Sequence, residues 1–202
     1  MYKYLKRLFD IVIGLAGVVI LVPIVIILKG FFMAFDDFGD LMYFQDRVGK
    51  DGKLFKMYKF RTMVENADEE LEELLKEERY RKEWEEKQKL EHDPRITKTG
   101  LWLRKTSLDE LPQMINVLKG DMSIVGPRPL VEGELEAHGG KPLYNEVKPG
   151  ITGWWASHGR SNLNYDERLE MEYFYVKNCS LKLDLICLYE TFFCVLTSKG
   201  AK

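Results

Sequence analysis

The longest uninterrupted apolar pattern in the chain lies near its N-terminus. No charged residue occurs between Ile11 and Leu28, a run of 18 residues that Lys29 ends. An α-helix rises ~1.5 Å per residue and the hydrocarbon core of a bilayer is ~30 Å thick, so this run is just long enough to cross a membrane. The run has three possible interpretations: a membrane segment, a cleaved signal peptide and a helix buried in a soluble core. The length of the run and the lack of an A-x-A site after it favour the membrane segment.

The remaining pattern is typical of a small, mostly helical α+β fold. Two aromatic-rich runs within residues 42–62 flank Asp51-Gly52, and this arrangement predicts a β-hairpin. Residues 65–91 are rich in Glu, Lys, Leu and Arg without Gly or Pro, which predicts one helix. Further helices are expected over 164–178 and 181–196. The last is amphipathic, with Phe192 and Phe193 as candidate interfacial anchors, and either a membrane interface or the core would suit it.

Charge is distributed unevenly along the 202 residues. The whole chain has 30 basic and 32 acidic residues, a net of -2 that argues against a nucleic-acid-binding protein. Residues 65–93 alone contain 13 acids and six bases, a net of -7, which leaves +5 for the rest. One acidic helical block therefore masks a basic body.

The charges around the apolar run conflict over its orientation. Basic residues precede the run at Lys3, Lys6 and Arg7, and the basic body follows it. The positive-inside rule therefore favours the cytoplasmic side for both ends of the run. Pro23 lies inside the run and is expected to kink a helix. A re-entrant helix that bends at Pro23 and leaves on the side where it entered removes the conflict. Hydropathy alone does not separate this form from a spanning helix.

Asp109-Glu110 is the pair of residues best suited to chemistry. One interpretation is structural: Ser107-x-x-Glu110 fits a capping box, and Asp109 itself fits the N-cap of a helix running through Leu118. The other is functional, because a carboxylate at a helix N-terminus stays ionised and can act as a nucleophile towards phosphorus. Attack by an anion on an anion requires Arg, Lys or Mg²⁺ nearby. Five basic residues beside turns are candidates: Lys59, Arg61, Arg104, Arg128 and Arg160. Pro127 and Pro129 stiffen the backbone around Arg128, which makes it the strongest of these.

Seven segments give the chain a resemblance to a known family. It resembles the bacterial sugar transferases, the monotopic polyprenyl-phosphate phosphoglycosyl transferases, in motif order across nearly its whole length. The segments are Lys3–Asp10, Tyr58–Met63, Asp93–Thr97, Lys105–Gln113, Asn116–Ser123, Val125–Pro129 and Lys148–Gly153. The long acidic helix before Asp93-Pro-Arg-Ile is similar to members that transfer galactose or glucose phosphate. Val22 departs from the serine that often precedes the kinking proline in the family.

The resemblance implies a two-step transfer. Asp109 is expected to attack the β-phosphate of a UDP-sugar and release UMP, forming a covalent phosphosugar intermediate. Polyprenyl phosphate, of the undecaprenyl type, would then take up the sugar phosphate. Glu110 is the implied second catalytic residue, and Mg²⁺ is the implied cofactor, held at Asp109. The implied substrate-binding residues are Lys59, Arg61, Arg104, Pro127, Arg128, Pro129 and Arg160.

These expectations place the protein on a membrane. Residues 1–35 would form the re-entrant anchor, and residues 36–202 a catalytic domain with an acidic helical insertion at 64–92. Interfacial amphipathic helices would hold the site at the cytoplasmic face of the bacterial inner membrane. No nucleic-acid partner is expected, and a homodimer is left open. The alternative function is a non-catalytic, membrane-anchored component of a glycan assembly complex, which would not need the Asp109-Glu110 pair.

Overall fold

The computed structural model describes residues 1–35, 40–87, 90–158 and 164–196, and these are mostly helical. The helices are α1 (Tyr2–Phe35), α2 (Ala67–Leu74), α3 (Glu78–Lys87), α4 (Lys98–Thr106), α5 (Gln113–Lys119), α6 (Glu134–Ala137), α7 (Trp154–His158), α8 (Tyr165–Asn178) and α9 (Leu181–Leu196). The strands are β1 (Met42–Val48), β2 (Leu54–Phe60), β3 (Ser123–Val125) and β4 (Gly150–Thr152). The expectation of a mostly helical fold with a small sheet and one long apolar helix is confirmed.

Helix α1 runs without interruption through Pro23 for 34 residues. Within the described chain it is the one helix that is long and apolar enough to cross a membrane by length and composition. Only 22% of its most apolar 18-residue stretch is buried, whereas the core helix of a soluble protein is mostly buried. The low burial argues against the soluble-core interpretation of this segment.

Polar contacts fasten the start of α1 to the rest of the protein. Arg7 donates to two carbonyl oxygens at the end of α5, 2.6 and 2.7 Å away. Asp10 is buried and accepts hydrogen bonds at 2.9 Å from Ser123 Oγ and from the Ile124 N–H. A buried carboxylate is tolerated when hydrogen bonds satisfy it. These contacts make α1 part of the fold, which argues against a cleaved signal peptide.

The predicted hairpin is confirmed. Strands β1 and β2 pair antiparallel, with Arg47 opposite Phe55 and Tyr43 opposite Lys59. Asp51 takes a positive φ of 58° in the connecting turn, a conformation that Asp tolerates better than most residues. Directly opposite residues share a face, so Lys59 and Arg47 project from the same side of the hairpin.

The acidic block does not form the single helix expected over 65–91. It forms α2 and α3, with a tight turn between them in which the Lys76 and Glu77 N–H groups bond to carbonyl oxygens three residues back. No helix breaker marks this turn in the sequence. The Trp84 ring of α3 lies 5.7 Å from the Arg95 guanidinium, a contact with a segment outside the block.

Strands β3 and β4 form a short parallel pair that the residue pattern did not reveal. Ser123 lies opposite Gly150, and Val125 opposite Thr152. Gly126 follows β3 where the backbone of β4 approaches so closely that a Cβ would lie 2.4 Å from the Lys148 carbonyl oxygen. A glycine is required there, and the next three residues leave the pair as a loop.

The C-terminal helices agree with their predicted spans and pack on the core. Helix α8 begins with a capping box between Asn164 and Glu167. Helix α9 buries Cys187 in the main core while leaving Leu185, Tyr189 and Phe192 exposed. Packing on the core is therefore confirmed for one face of α9, whereas its exposed apolar face leaves the membrane interface a prediction.

Candidate functional site

Asp109 and Glu110 lie in a connection between two helices. Ser107 ends α4 in a left-handed conformation with φ 57° and makes no capping bond through its side chain. Asp109 and Glu110 follow in a 3-10 turn, and α5 begins only after Pro112. The predicted capping box and helix start at Asp109 are wrong. The helix starts behind Pro112, where the missing N–H of proline costs no intrahelical bond.

The turn that carries the two carboxylates packs on an apolar cluster. Leu108 and Leu111, on either side of the pair, pack against a cluster whose buried members come from α1, β2 and α4, namely Leu21, Leu28, Phe60 and Leu103. Burying apolar side chains contributes about 25 cal/mol per Å² removed from water, so these contacts stabilise the position of the turn. The turn therefore depends on a cluster to which the apolar α1 contributes two residues.

Two predicted cations flank the carboxylates. Lys59 Nζ lies 3.1 Å from Glu110 Oε1. Arg104 Nε donates to Thr62 Oγ1 at 2.9 Å, which holds its guanidinium near Asp109. The structure therefore brings together Lys59 and Arg104, which are far apart in sequence, around Asp109 and Glu110.

The environment of Asp109 raises its pKa to about 6. Burial is the largest cause and the charge of Glu110 adds to it, while Lys59 and Arg104 act in the opposite direction. A carboxylate that loses water and faces a like charge is harder to ionise. The expectation that this carboxylate would stay readily ionised is therefore incorrect, because burial and the charge of Glu110 outweigh the two cations. At pH 7 the ionised form still predominates.

Two further predicted substrate-binding residues are Arg61 and Arg160. Arg61 is only 7% exposed, and its backbone N–H donates to the Leu41 carbonyl oxygen at 2.9 Å. That burial favours a supporting position for Arg61 over direct contact with a substrate. Arg160 lies outside the residues that the structure describes.

Pro127, Arg128 and Pro129 form the loop that leaves β3. The Gly150 N–H donates to the Pro127 carbonyl oxygen at 2.8 Å, and Arg47 Nη1 donates to the Pro129 carbonyl oxygen at 3.3 Å. The side chain of Arg128 remains 34% exposed while its guanidinium donates to a carboxylate. The loop is fixed on both sides and still presents the arginine to solvent, as the flanking prolines predict.

Three charged residues around this loop were not singled out from the sequence. Glu134 accepts from Arg128 Nη1 at 2.9 Å and from Arg168 Nη2 at 3.2 Å. Glu172 is 1% exposed and accepts from the Arg128 backbone N–H at 3.0 Å. Burial raises the pKa of Glu172 to about 7, against the hydrogen bond from Arg128 and the nearby guanidinium groups. Charged residues on an otherwise apolar helix face, such as Glu172 beside Leu169, are a signal that could have pointed to them.

Arg47 is a further residue that the sequence analysis missed. It lies in β1 on the hairpin face that carries Lys59, and it bonds to the loop at Pro129. Burial lowers the pKa of Arg47, and the charge of Arg128 lowers it further, while Glu134 and Glu110 act in the opposite direction. Arg47 thus stands between the carboxylate pair and Arg128. The shared hairpin face is the pattern that could have revealed it.

The carboxylates of Asp109 and Glu110 could bind Mg²⁺ only together with the phosphate oxygens of a substrate. Among the described residues, no group of three or more His, Cys, Asp or Glu side chains could hold a metal ion. Asp109 and Glu110 supply adjacent carboxylates, and Mg²⁺ is commonly bound through one or two carboxylates, substrate phosphates and water. The pair therefore fits a magnesium ion that arrives with a phosphate-bearing substrate, and not a closed protein cage.

Comparison with known proteins places these features in a family. The family model for bacterial sugar transferases matches residues 1–198. The chain is 47% identical over 201 residues to a UDP-galactose-lipid carrier transferase of Erwinia amylovora, and 48% identical over 201 residues to an undecaprenyl-phosphate galactose phosphotransferase of Salmonella typhimurium. It is 42% identical over 198 residues to the exopolysaccharide production protein ExoY of Sinorhizobium fredii.

Coverage differs between these relatives. The first two alignments include 98% of this chain but only 42% of either relative, so the chain spans less than half of their length. The alignment with ExoY includes 97% of this chain and 87% of the relative. The family model covers nearly every residue, including the hairpin, the carboxylate turn and the Pro-Arg-Pro loop. The chain therefore belongs to the bacterial sugar transferase family.

Proposed function

We propose that this chain is a phosphoglycosyl transferase that moves a sugar-1-phosphate from a UDP-sugar to polyprenyl phosphate. The observation that carries the proposal is the half-buried Asp109, whose pKa is about 6, beside Glu110 and close to the cations of Lys59 and Arg104. Such a carboxylate is ionised at neutral pH and is only weakly solvated. The transferase names of the relatives support the same reaction class.

In the first step Asp109 is the nucleophile. Its carboxylate oxygen attacks the β-phosphorus of the UDP-sugar, the bond from that phosphorus to the bridging oxygen breaks, and UMP leaves with the electron pair. Lys59 and Arg104 neutralise charge that would otherwise repel the attacking carboxylate. Glu110 is proposed to hold Lys59 in place through their 3.1 Å ion pair.

In the second step the acceptor takes the sugar phosphate from Asp109 and regenerates the free enzyme. A phosphate oxygen of polyprenyl phosphate attacks the same phosphorus, the phosphorus–Asp109 bond breaks, and the carboxylate is regenerated. The product is a polyprenyl diphosphate sugar. A hexose of the galactose or glucose type is the proposed sugar, in keeping with the galactose named for two relatives.

Magnesium is proposed as the cofactor only because adjacent carboxylates and substrate phosphates are the ligands that it prefers. Asp109, with Glu110 beside it, would hold the ion, which supplies positive charge to the donor phosphates when bound. The described protein residues contribute the carboxylates, and the substrate contributes the remaining anionic oxygens.

The membrane attachment is proposed from the contacts and exposure of α1. Its outward face is apolar and exposed at Val12, Val19 and Ile26, whereas Leu21 and Leu28 are buried against the body. Arg7 before the apolar run and Leu28 at its end both contact the same body. These contacts favour the re-entrant form, because both ends of the apolar run stay beside one catalytic domain. The uninterrupted α1 would then bend at Pro23 in the bilayer, and the cytoplasmic face of the inner membrane is proposed as its location.

The experiment that tests the function is a donor panel with nucleotide analysis. Purified protein, Mg²⁺, polyprenyl phosphate and each of several UDP-sugars are combined, and the released nucleotide is identified. Release of UMP with at least one donor, abolished in Asp109→Asn, supports the proposal. Release of UDP would instead indicate transfer of the bare sugar. Normal complementation of glycan synthesis by a double alanine variant of Asp109 and Glu110 would indicate a non-catalytic component.

A further inference from the structure

Asp93 and Arg95 form a buried ion pair in a motif to which the proposed reaction gives no role. Arg95 Nε and Nη2 donate to the two oxygens of Asp93 at 2.9 and 2.7 Å, and both side chains are only 5% exposed. A buried pair of this kind adds little net stability, because the loss of hydration of both charges offsets their attraction. Its two parallel hydrogen bonds instead hold the guanidinium in one orientation. The effect of the pair is therefore to fix what the guanidinium contacts.

The guanidinium of Arg95 contacts both helices of the acidic block. Its remaining nitrogen, Nη1, donates to the carbonyl oxygen of Ala67, the first residue of α2, at 3.1 Å. The ring of Trp84 in α3 lies 5.7 Å from the guanidinium, a distance typical of a cation–π contact. Arg95 thus links α2 and α3 to the segment that follows them.

The backbone of the same segment pairs with the chain that leaves β2. The Val64 N–H donates to the Arg95 carbonyl oxygen at 2.9 Å, and the Thr97 N–H donates to the Thr62 carbonyl oxygen at 3.1 Å. These bonds join residues 62–64 to residues 95–97 as an antiparallel bridge. Because Asp93 fixes the side chain of Arg95 and the bridge includes its backbone, the ion pair also holds Thr62 in place.

Thr62 is the point at which α4 and Arg104 contact the bridge. A Cβ built at Gly100 of α4 would lie 1.9 Å from the Thr62 carbonyl oxygen, so the helix and the bridge touch through their backbones. The Thr97 hydroxyl oxygen caps α4 by accepting from the Gly100 N–H at 2.9 Å. About two helical turns later, Arg104 Nε donates to Thr62 Oγ1 at 2.9 Å. The bridge therefore sets both the start of α4 and the position of the guanidinium that it carries.

Arg104 is close to two carboxylates that compete for it. Burial lowers the pKa of Arg104, whereas the charge of Asp109, followed by that of Asp93, raises it. Asp93 is already bound to Arg95 through both of its oxygens. Without that pairing, Asp93 would be free to attract Arg104 away from Asp109. Arg95 thus occupies the competing carboxylate and also holds Thr62, the residue that fixes Arg104.

We propose that Arg95 is a positioning residue that keeps Arg104 beside Asp109 and couples α2 and α3 to the site. The inference rests on the proposed function, in which Arg104 neutralises charge during the attack of Asp109. The guanidinium of Arg95 is itself bound to Asp93 and to α2. Arg95 therefore acts through Thr62 and Arg104. The acidic helices gain a role as well, because a movement of α2 or α3 relative to the bridge would reach Arg104 through this one side chain.

A double-mutant cycle on the full chain in nanodiscs tests the coupling. The rate of UMP release in one turnover is measured at saturating UDP-sugar in Arg95→Lys, in Arg104→Gln and in the double variant. Arg95→Lys keeps the charge of the pair but loses the parallel bonds, and it should slow UMP release about tenfold because Arg104 is misplaced. In the Arg104→Gln background the same change should slow release by less than about twofold, since no guanidinium is left to position.

A purely structural role for Arg95 gives a different pattern. Equal fold losses in the two backgrounds would overturn the proposal, because Arg95 would then support the fold without acting through Arg104. A wild-type rate in Arg95→Lys would overturn it as well. Arg79→Lys is the matched control, because Arg79 makes the same type of substitution possible in α3 while its ion pair with Glu77 is exposed. This control should leave UMP release unchanged.

Two further variants keep the test decisive if Arg95→Lys does not fold. Thr62→Val removes the oxygen that accepts from Arg104, and it should reproduce the loss only while Arg104 is present. Trp84→Leu weakens the contact of α3 with the guanidinium of Arg95, and it should slow UMP release about threefold. Wild-type rates of UMP release in both variants would contradict the coupling.

Failure of the proposed function gives a result that can be told apart. If the wild-type protein releases no UMP with any UDP-sugar, the reaction is wrong, and amide hydrogen exchange still tests the link. The amides of Val64 and Thr97 should exchange faster in Arg95→Lys than in wild type and at the wild-type rate in Arg79→Lys. Unchanged exchange in Arg95→Lys would refute the link between the ion pair and the bridge, whatever the reaction.

Discussion

Asp109 is the residue whose properties depend most on its surroundings. Burial and Glu110 raise its pKa to about 6, and Lys59 and Arg104 keep it from rising further. The balance leaves a carboxylate that is ionised at neutral pH but is stabilised less by its surroundings than a carboxylate exposed to water. A weakly solvated nucleophile of this kind is consistent with the proposed attack on phosphorus.

The first prediction concerns stability. Because the folded pKa of Asp109 lies above its unfolded value near 3.8, ionisation of Asp109 opposes folding by an amount that grows between about pH 4 and pH 6 and is constant above pH 6. Asp109→Asn removes this cost and should stabilise the protein at pH 8 by about 3 kcal/mol, which raises Tm by several degrees. The gain should shrink to about half at pH 5, where the native carboxyl is largely protonated and the unfolded one is not. Thermal unfolding at both pH values checks this, and a larger gain at pH 5 would contradict it.

The second prediction is the pH dependence of the first chemical step. Only ionised Asp109 attacks, so the rate of UMP release from a UDP-sugar alone should fall about tenfold per pH unit below pH 6. Rapid-quench measurement of one turnover between pH 4.5 and 8 gives the profile. A rate that stays level down to pH 4.5 would show that ionisation of Asp109 does not control the step.

At the scale of elements, the contact between α1 and α5 positions the site. Gly17 lies against Met114, and a Cβ built at Gly17 would be 2.6 Å from Met114 Cγ. The same helix contributes Leu21 and Leu28 to the cluster against which Leu108 and Leu111 pack. A displacement of α1 from α5 is therefore expected to disturb the turn that carries Asp109.

The third prediction tests this coupling. Gly17→Val should push α1 away from α5, lower Tm by several degrees and reduce the rate of UMP release, because overpacking costs about 1–3 kcal/mol. Gly30→Val is the matched control in the same helix, since a Cβ at Gly30 meets nothing within 4 Å. Equal Tm and activity in the two variants would show that the close contact does not position the site.

Sequence patterns predicted some elements better than others. The hairpin carries a strong turn signal at Asp51-Gly52, and α8 and α9 have clear starts and long patterns. Strands β3 and β4 have only three residues each, too few for an alternating pattern to emerge. Helices α2 and α3 are separated without any breaker residue, so local propensity could not reveal the turn.

Some residues of the site could also be predicted from the sequence, and others could not. Asp109, Glu110 and Arg128 stand in distinctive local motifs, and the sequence singled them out. Arg47 and Glu134 are ordinary charges in their own segments, and only the pairing of distant strands and loops brings them together. The pKa of Asp109 was missed for a related reason, since burial is a property of the tertiary fold and not of the motif.

At the scale of the whole molecule, exposed apolar surface on α1 and α9 suggests how the protein meets a membrane. Val19 and Ile26 on α1 are 73% and 69% exposed, and Tyr189 and Phe192 on α9 are 66% and 61% exposed. Large contiguous apolar surfaces are unusual on soluble proteins. Membrane contact through these faces would place the carboxylate turn close to the lipid acceptor.

The fourth prediction concerns topology. Single cysteines replacing Lys3 or Lys29 should both react with an impermeant maleimide in inside-out vesicles and in neither case in right-side-out vesicles. Cys179 and Cys194 are removed, whereas Cys187 can stay because it is 0% exposed. Reaction of the two positions from opposite faces would establish a spanning helix and contradict the re-entrant proposal.

The most direct test of the central claim is the intact mass of the protein after incubation with Mg²⁺ and a UDP-sugar that supports UMP release, without acceptor. We expect the mass to increase by one sugar phosphate. Peptide analysis should map this increase to Asp109, and it should be absent in Asp109→Asn and lost when polyprenyl phosphate is added. An unchanged mass in a protein that releases UMP under the same conditions, or the same gain in Asp109→Asn, would contradict it.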